Sequence, residues 1–186
     1  MLEEILIAGS GGQGVMFMGH LLAYGAIHEG LEVTFFPSYG PEMRGGTANC
    51  TVVISNQRIG SPIRNTFTAF MAMNQASLVK FEDRVNPGGV LAYNETLIDT
   101  PPKRGDVRIV KIPANEIATE LGNPQAANMV AAGGLVTALG VISLGSLFKG
   151  LTREFPKDRH HLIPLNEEAL RRGMQVVQGN TKGMGG

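Results

Sequence analysis

Residues 5–14 read ILIAGSGGQG, an apolar run followed at once by a glycine-rich turn. Gly9, Gly11 and Gly14 have the spacing G-x-G-x-x-G, which is typical of a turn that joins a buried strand to a helix. The N–H groups at the start of such a helix attract anions, because they have no partner within the helix. The alternative interpretation is structural, since small residues in this turn let the strand and the helix pack closely. The candidate binding residues of this first loop are Gly11, Gly12, Gln13 and Gly14.

A second glycine-marked loop lies one strand–helix–strand unit further along the chain. Residues 37–46 read PSYGPEMRGG and follow an apolar strand signal that ends at Phe36. Tyr39, Glu42 and Arg44 offer a hydroxyl, a carboxylate and a guanidinium, and a guanidinium can bind a phosphate or carboxylate through its fork of donors. A surface ion pair between Arg44 and Glu42 is the alternative. If the sheet is parallel, both loops leave the carboxyl ends of strands, where open α/β folds bind ligands. The candidate binding residues of this second loop are Tyr39, Glu42, Arg44 and Gly45.

The sequence argues against an ordinary NAD site and against catalysis by this chain. An acidic residue that binds the ribose is expected at the end of the second strand, about 20 residues after the glycine turn. Residues 35–38 read FFPS there, and Glu29 and Glu32 fall before or at the start of that strand. Residues 157–161 contain two of the four histidines and are interpreted as a solvated loop. With no metal-ligand spacing, Ser–His–Asp set or carboxylate pair, we predict no catalytic or metal-binding residues.

The composition narrows the class of protein further. The 16 basic and 16 acidic side chains cancel, so no long-range field favours nucleic acid or an anionic membrane as a partner. Cys50 is the only cysteine, which excludes internal disulfides and a self-contained iron–sulfur cluster. It is interpreted as a buried structural thiol in a strand. The N-terminus lacks the basic and apolar regions of a secretory signal, so we expect a cytoplasmic protein.

Apolar runs alternate with glycine- and proline-rich turns in the order expected of an α/β domain. We predict a single three-layer α/β/α domain over residues 1–178, with a largely parallel (mixed) sheet and a Rossmann-like first βαβ unit. Residues 179–186 are predicted to be a disordered, Gly-rich tail. Asn74 is predicted to cap the helix that follows it. Residues 126–148 carry no charge and are predicted to form one long helix, whose glycines and alanines favour burial in protein over a bilayer.

The two loops together resemble a known family, the gamma subunits (or gamma domains) of the thiamine-diphosphate-dependent 2-oxoacid:ferredoxin oxidoreductases. The matching segments are residues 7–15 (IAGSGGQGV), 38–46 (SYGPEMRGG), 72–75 (AMNQ) and 85–89 (VNPGG). The similarity extends to about residue 175. Residues 37–51 are most similar to gamma subunits that act on branched-chain 2-oxoacids or 2-oxoglutarate.

The resemblance implies oxidative decarboxylation of a 2-oxoacid to its acyl-CoA, with electrons passed to ferredoxin. It implies that thiamine diphosphate, Mg²⁺ and 4Fe-4S clusters lie on alpha and beta subunits, with or without a ferredoxin-like delta subunit. This chain has one cysteine and no thiamine-diphosphate motif, so we expect it to be inert alone. Its expected contribution is part of the active-site wall and of the coenzyme A site at the two loops. The alternative is a free-standing nucleotide- or CoA-binding module without catalytic partners.

Overall fold

A computed structural model describes residues 1–39, 46–61 and 63–182, the last three by backbone alone. The strands are β1 (Leu2–Ser10), β2 (Glu32–Tyr39), β3 (Thr47–Ser55), β4 (Phe67–Ala72), β5 (Val85–Asn94) and β6 (Arg108–Ile112). Within the described residues these six strands form one sheet, in the spatial order β2-β3-β1-β4-β5-β6.

Five of the six described strands point in the same direction. β4 pairs parallel to β1 and to β5, and β5 pairs parallel to β6. β3 is antiparallel to both of its neighbours, so β1 and β2 are parallel without being adjacent. The predicted mixed, largely parallel sheet is confirmed. The first βαβ unit differs from a Rossmann unit because β3 lies between its two strands. The link between β2 and β3 is short, and strands joined by a short link pair antiparallel.

Helices connect the strands and cover the faces of the sheet. They are α1 (Val15–His28), α2 (Gln75–Phe81), α3 (Ala114–Glu120), α4 (Ala127–Leu139), α5 (Leu144–Glu154) and α6 (Ile163–Lys182). Short 3₁₀ segments lie at Glu82–Arg84, Glu95–Leu97, Pro124–Ala126 and Lys157–Leu162. Asn74 caps α2 as predicted, since its Oδ1 accepts a hydrogen bond from the Ser77 N–H at 2.9 Å.

The two faces of the sheet are covered unequally. Successive residues of β1 alternate between the faces, and both sets are buried, which is why the strand reads as a continuous apolar run. Ile5 and Ile7 belong to the larger core, formed with α1, α3, α4, α5 and α6. Leu6 and Ala8 belong to the smaller core, which α2 covers through Leu78 and its neighbours. The predicted three layers are therefore present, with most of the helices on one side.

The uncharged stretch from residue 126 to 148 is largely buried, as predicted, but it forms two helices rather than one. α4 ends where Gly140 adopts a left-handed conformation with a φ of 68°. Glycine favours this conformation because it lacks a Cβ. Ser143 then begins α5, and its side chain accepts a hydrogen bond from the Ser146 N–H at 3.2 Å. None of the helices in the described residues is long and apolar enough to cross a membrane.

The final helix is longer than the sequence indicated. The disordered tail was predicted to begin at residue 179, but α6 continues through Lys182. An existing helix extends past a single glycine because adding one residue is far easier than starting a new helix. Residues 183–186 lie outside the described residues.

α4 and α6 cross at close range through a pair of glycines. Gly133 of α4 faces the backbone of Leu170, and Gly173 of α6 faces the backbone of Val130. A Cβ on either glycine would overlap the carbonyl oxygen that it faces. The close contact between the two helices therefore depends on the absence of side chains at both positions.

Candidate functional site

The two glycine-marked loops meet at the carboxyl edge of the sheet, where the parallel strands end. The first loop follows Ser10 at the end of β1, and the second connects β2 to β3. The N–H of Gly11 donates a hydrogen bond to the carbonyl oxygen of Gly46 at 2.9 Å, which joins the described parts of the two loops. Open α/β sheets bind ligands at this edge. The structure thus brings together two segments that the sequence singled out separately.

Tyr39, the last residue of β2, is 60% exposed. It lines one cleft together with Gly11, Gly12 and Gly14 of the first loop. These four predicted residues are therefore neighbours. The other residues predicted from the second loop lie outside the described residues, so their role stays a prediction. They are Glu42, Arg44 and Gly45.

Gly14 ends the first loop and precedes α1. Its φ of 70° is left-handed, and a Cβ at this position would overlap the side-chain amide of Asn128. Asn128 in turn donates a hydrogen bond from Nδ2 to the Gly14 carbonyl oxygen at 3.4 Å. No side chain of the described residues caps the start of α1. The N–H groups of its first turn are therefore left for solvent or for an anion.

The Gln13 side chain holds the shape of the first loop from inside. Its Oε1 accepts hydrogen bonds from the Ser10 N–H at 2.7 Å and from Asn74 Nδ2 at 3.0 Å. Its Nε2 donates to the Met73 carbonyl oxygen at 3.2 Å. The sequence placed Gln13 among the binding residues, but in the structure both ends of its amide bond to protein. A supporting role for this side chain therefore fits the geometry better than direct contact with a ligand.

Carboxamides continue this support along the ends of β4 and β5. Asn74 Nδ2 also donates to Ser10 Oγ at 2.7 Å. Asn94 at the end of β5 is fully buried, and its Nδ2 donates to Asn115 Oδ1 at 2.7 Å while its Oδ1 accepts from the Ala114 N–H at 3.2 Å. The sequence did not identify Asn94 or Asn115, because neither belongs to a recognisable motif. Buried amides of this kind must be satisfied to be tolerated, and these bonds link the strand ends to one another.

Three cavities surround the first loop in the described part of the chain. One of about 340 Å³ lies beside Tyr39, one of about 200 Å³ beside Asn115, and one of about 220 Å³ beside Arg159. Gly12 lines the first and second cavities, and Gly14 lines the first and third. The loop is therefore the wall that the three cavities share.

The electrostatic character of these cavities favours an anion. Among the described residues, no carboxylate lines any of the three, and Arg159 is the single basic side chain. The other polar groups are hydroxyls, carboxamides and backbone N–H groups. Residues 157–161 were interpreted as a solvated loop; most of them are exposed, but they belong to a 3₁₀ helix, Lys157–Leu162, that places Arg159 beside the first loop. Its polar sequence is typical of any surface segment and contained no signal for this position.

Cys50 is a buried structural thiol, as predicted. Its Sγ lies 3.6 Å from the Val15 carbonyl oxygen, and burial raises the pKa of the thiol from 9.0 to about 12. A thiol that holds its proton so firmly is a poor metal ligand and a poor nucleophile. In the described parts of the chain, no three His, Cys, Asp or Glu side chains are grouped to hold a metal ion.

Comparison with known proteins identifies the family to which this fold and site belong. Residues 4–176 match the family described as pyruvate ferredoxin/flavodoxin oxidoreductase. The chain is 39% identical over 181 residues to ketoisovalerate oxidoreductase subunit VorA of Methanothermobacter thermautotrophicus, an alignment that covers 97% of this chain and 37% of VorA. It is 34% identical over 160 residues to 2-oxoglutarate synthase subunit KorC of Methanocaldococcus jannaschii, covering 84% of this chain and 86% of KorC. The chain thus spans little more than a third of VorA but most of KorC.

Solved structures agree with this assignment. The gamma subunit of a keto/oxoacid ferredoxin oxidoreductase from Geobacter sulfurreducens has a TM-score of 0.81 and 28% identity, covering 95% of this chain and 99% of that one. The 2-oxoglutarate:ferredoxin oxidoreductase of Magnetococcus marinus, solved with 2-oxoglutarate, coenzyme A and succinyl-CoA bound, has a TM-score of 0.87 and 29% identity. That match covers 96% of this chain and 31% of the other. This chain belongs to the pyruvate ferredoxin/flavodoxin oxidoreductase family.

Proposed function

We propose that this chain is the gamma subunit of a cytoplasmic 2-oxoacid:ferredoxin oxidoreductase. The complex would oxidise a branched-chain 2-oxoacid or 2-oxoglutarate to its acyl-CoA. The observation that carries the proposal is the match of nearly the whole chain to this family, through relatives named for ketoisovalerate and 2-oxoglutarate. The cleft at the carboxyl edge supports it, because that cleft has the chemistry of an anion site.

The chain's own residues limit which part of that reaction it performs. An iron–sulfur cluster needs about four thiolates, and this chain offers one buried thiol with a raised pKa. The residues present therefore do not fit a cluster. We assign thiamine diphosphate, Mg²⁺ and the 4Fe-4S clusters to alpha and beta partners, with or without a ferredoxin-like delta subunit. Ferredoxin would accept electrons from those subunits.

The contribution left to this chain is the binding of coenzyme A and part of the active-site wall. Backbone N–H groups at Gly12, at Gly14 and in the first turn of α1 are suited to a diphosphate, since no carboxylate of the described residues lines the same cleft. Gly11 also lines this cleft, but its N–H is already bonded to the Gly46 carbonyl oxygen. Tyr39 borders the same cleft. From the second loop we propose Glu42, Arg44 and Gly45 as further contacts, with Arg44 binding a phosphate. Gln13 would act by holding the loop in shape.

Reconstitution tests the proposal directly. The chain is co-expressed with candidate alpha and beta subunits from the same genome, and reduction of a viologen dye is measured with a 2-oxoacid, coenzyme A and thiamine diphosphate. We expect dye reduction that requires both the 2-oxoacid and coenzyme A in the complex, and none with this chain alone. Equal activity of the partners without this chain, or activity of the isolated chain, would contradict the proposal.

Replacing Arg44 tests the second loop. Losing a charge-assisted hydrogen bond to a phosphate should weaken the apparent affinity for coenzyme A by about ten- to hundredfold in the assembled enzyme, with little change in Tm. A surface pair with Glu42 would leave both quantities almost unchanged on Arg44→Ala. If the variant no longer co-purifies with its partners, Arg44 serves assembly instead.

The competing function is a free-standing nucleotide- or CoA-binding module. The same cleft is compatible with it, because an anion site does not reveal whether partner subunits are present. Size-exclusion chromatography of the natively purified protein separates the two. A stable monomer that binds coenzyme A and recruits no other subunit would favour the module.

A further inference from the structure

The first loop has a second side that the coenzyme A cleft proposed above does not occupy. Beyond Gly14 lies the cavity of about 220 Å³, between the start of α1, the start of α4 and the 3₁₀ helix at Lys157–Leu162. Its one basic side chain among the described residues is Arg159, whose guanidinium makes no ion pair and no hydrogen bond with them. Arg159 is a solvent-exposed residue that borders the cavity, and its unpaired guanidinium is free to bind an anionic group.

Two buried amides form the polar wall of this Arg159 cavity. Asn128 and Asn166 are 9% and 7% exposed, and each donates its Nδ2 hydrogen to a backbone carbonyl, that of Gly14 at 3.4 Å and that of Leu162 at 2.8 Å. Their Oδ1 atoms accept no hydrogen bond from the described residues and reach solvent, so they can accept from water or from a hydroxyl or amino group of a ligand. The wall is therefore suited to a polar occupant.

An aromatic wall completes the cavity. The rings of Phe17 and Phe155 have centroids 5.0 Å apart and planes inclined by 53°. Both residues line the cavity, and Phe17 also lines the cleft beside Tyr39. An apolar ring wall next to a cation matches a ligand that carries a flat or sugar-like body and a terminal anion. Phe17 and Gly14 line both the cavity and the cleft, so the two are adjacent.

We propose that the Arg159 cavity binds a terminal phosphate monoester of the same ligand whose other phosphates lie at the glycine loop. A guanidinium suits the two negative charges of a monoester, whereas backbone N–H groups at a helix start suit a bridging diphosphate. Resting on the function proposed above, that monoester is the 3′-phosphate on the ribose of coenzyme A. Arg159 is then a residue that distinguishes coenzyme A from its 3′-dephospho form.

The test compares KM for coenzyme A and for 3′-dephospho-coenzyme A in the assembled enzyme. We expect Arg159→Gln to raise KM for coenzyme A about tenfold or more and to leave KM for the dephospho form unchanged, with kcat unaltered. Arg159→Lys should restore part of the difference because it keeps the charge. Lys157→Gln is the matched control, since it removes a charge from the same 3₁₀ helix outside the cavity, and both KM values should stay as in the wild type.

The outcomes separate this subsite from the function on which it rests. If Arg159→Gln alters both KM values equally, or neither, the subsite is wrong although coenzyme A is still the substrate. If the complex has no coenzyme A-dependent activity, the proposed function fails, and the full chain is titrated by calorimetry with adenosine 3′,5′-bisphosphate and adenosine 5′-monophosphate. A wild-type preference for the bisphosphate that Arg159→Gln abolishes would support the subsite, and equal binding of the two nucleotides would overturn it.

Discussion

The α4–α6 crossing and the first glycine loop both depend on glycine, but they use opposite properties of that residue. At the crossing, Gly133 and Gly173 leave no room for a side chain, since a Cβ on either would overlap a facing carbonyl. In the loop, Gly12 has a φ of 95° and no atom lies within 4 Å of the place where its Cβ would be. The first pair supplies close packing, and the second position supplies an open cleft. The same residue type therefore marks a structural contact in one region and a candidate binding surface in the other.

The largest effect on stability is expected at the α4–α6 crossing. Gly173→Ala should lower the free energy of unfolding by about 3 kcal/mol, because the added methyl meets rigid backbone and the two helices must move apart. Gly179→Ala in the same helix is the control, since open space surrounds that position. It should stabilise by up to about 1 kcal/mol through helix propensity. Chemical denaturation of both variants checks the difference, and equal stabilities would show that the crossing is not tightly packed.

The next effect concerns the support of the loop. Gln13→Ala should cost about 2 kcal/mol of stability, because it leaves the Ser10 N–H without its acceptor and removes one of the two donors to the Met73 carbonyl, the other being Asn94 Nδ2. Gln125→Ala is the control, as Gln125 lines two of the cavities but its side chain makes no hydrogen bond with the described residues. Its stability should stay within about 0.5 kcal/mol of the wild type. Denaturation curves for both variants test this. Equal losses of unfolding free energy in the two variants would contradict a supporting role for Gln13.

A pH-dependent effect is expected from the packed region at Cys50. The pKa of this thiol is about 12 in the folded chain and near 9.0 when exposed, so above pH 9 the unfolded state loses its proton first. The contribution of the buried thiol is thus fully present below pH 9 and is lost as pH rises toward 12, at up to about 1.4 kcal/mol per pH unit. Stability measured against pH should fall less steeply in Cys50→Ala than in the wild type. Identical slopes between pH 9 and 11 would contradict a raised pKa.

The smallest effect on stability, but a specific one on binding, is expected in the loop itself. Gly12→Ala should cost about 1 kcal/mol, because only backbone strain opposes the methyl group. Gly30→Ala is a matched control, with a φ of 73° and equally open surroundings at the far end of α1. Both should lose similar stability, whereas Gly12→Ala alone should raise KM for coenzyme A in the assembled enzyme. An equal KM in the two variants would place the ligand away from Gly12.

The sequence by itself determined the features that depend on neighbouring residues. The apolar run before the glycines predicts β1, the turn and α1, because strand burial, the left-handed turn and the helix start are all local properties. The same reasoning identified the class of fold and the capping role of Asn74. Because the chain has a single cysteine, the sequence also excluded an iron–sulfur cluster held by this chain alone. The apolar run also contains Gly140, but it contains several other glycines, and the sequence does not show which of them ends the helix.

Only the tertiary structure decided which distant segments meet. β3 lies between β1 and β2 and pairs with both, so that its backbone satisfies the N–H and C=O groups along one edge of each strand. Local propensity does not predict which strands become neighbours in this way. Asn128 reaches Gly14 across 114 residues of sequence, and Arg159 reaches the same loop from a segment that reads as ordinary surface. Long-range contacts of this kind are set by how helices pack on the sheet, which is a property of the whole core. The walls of the candidate site therefore became visible only once the chain was folded.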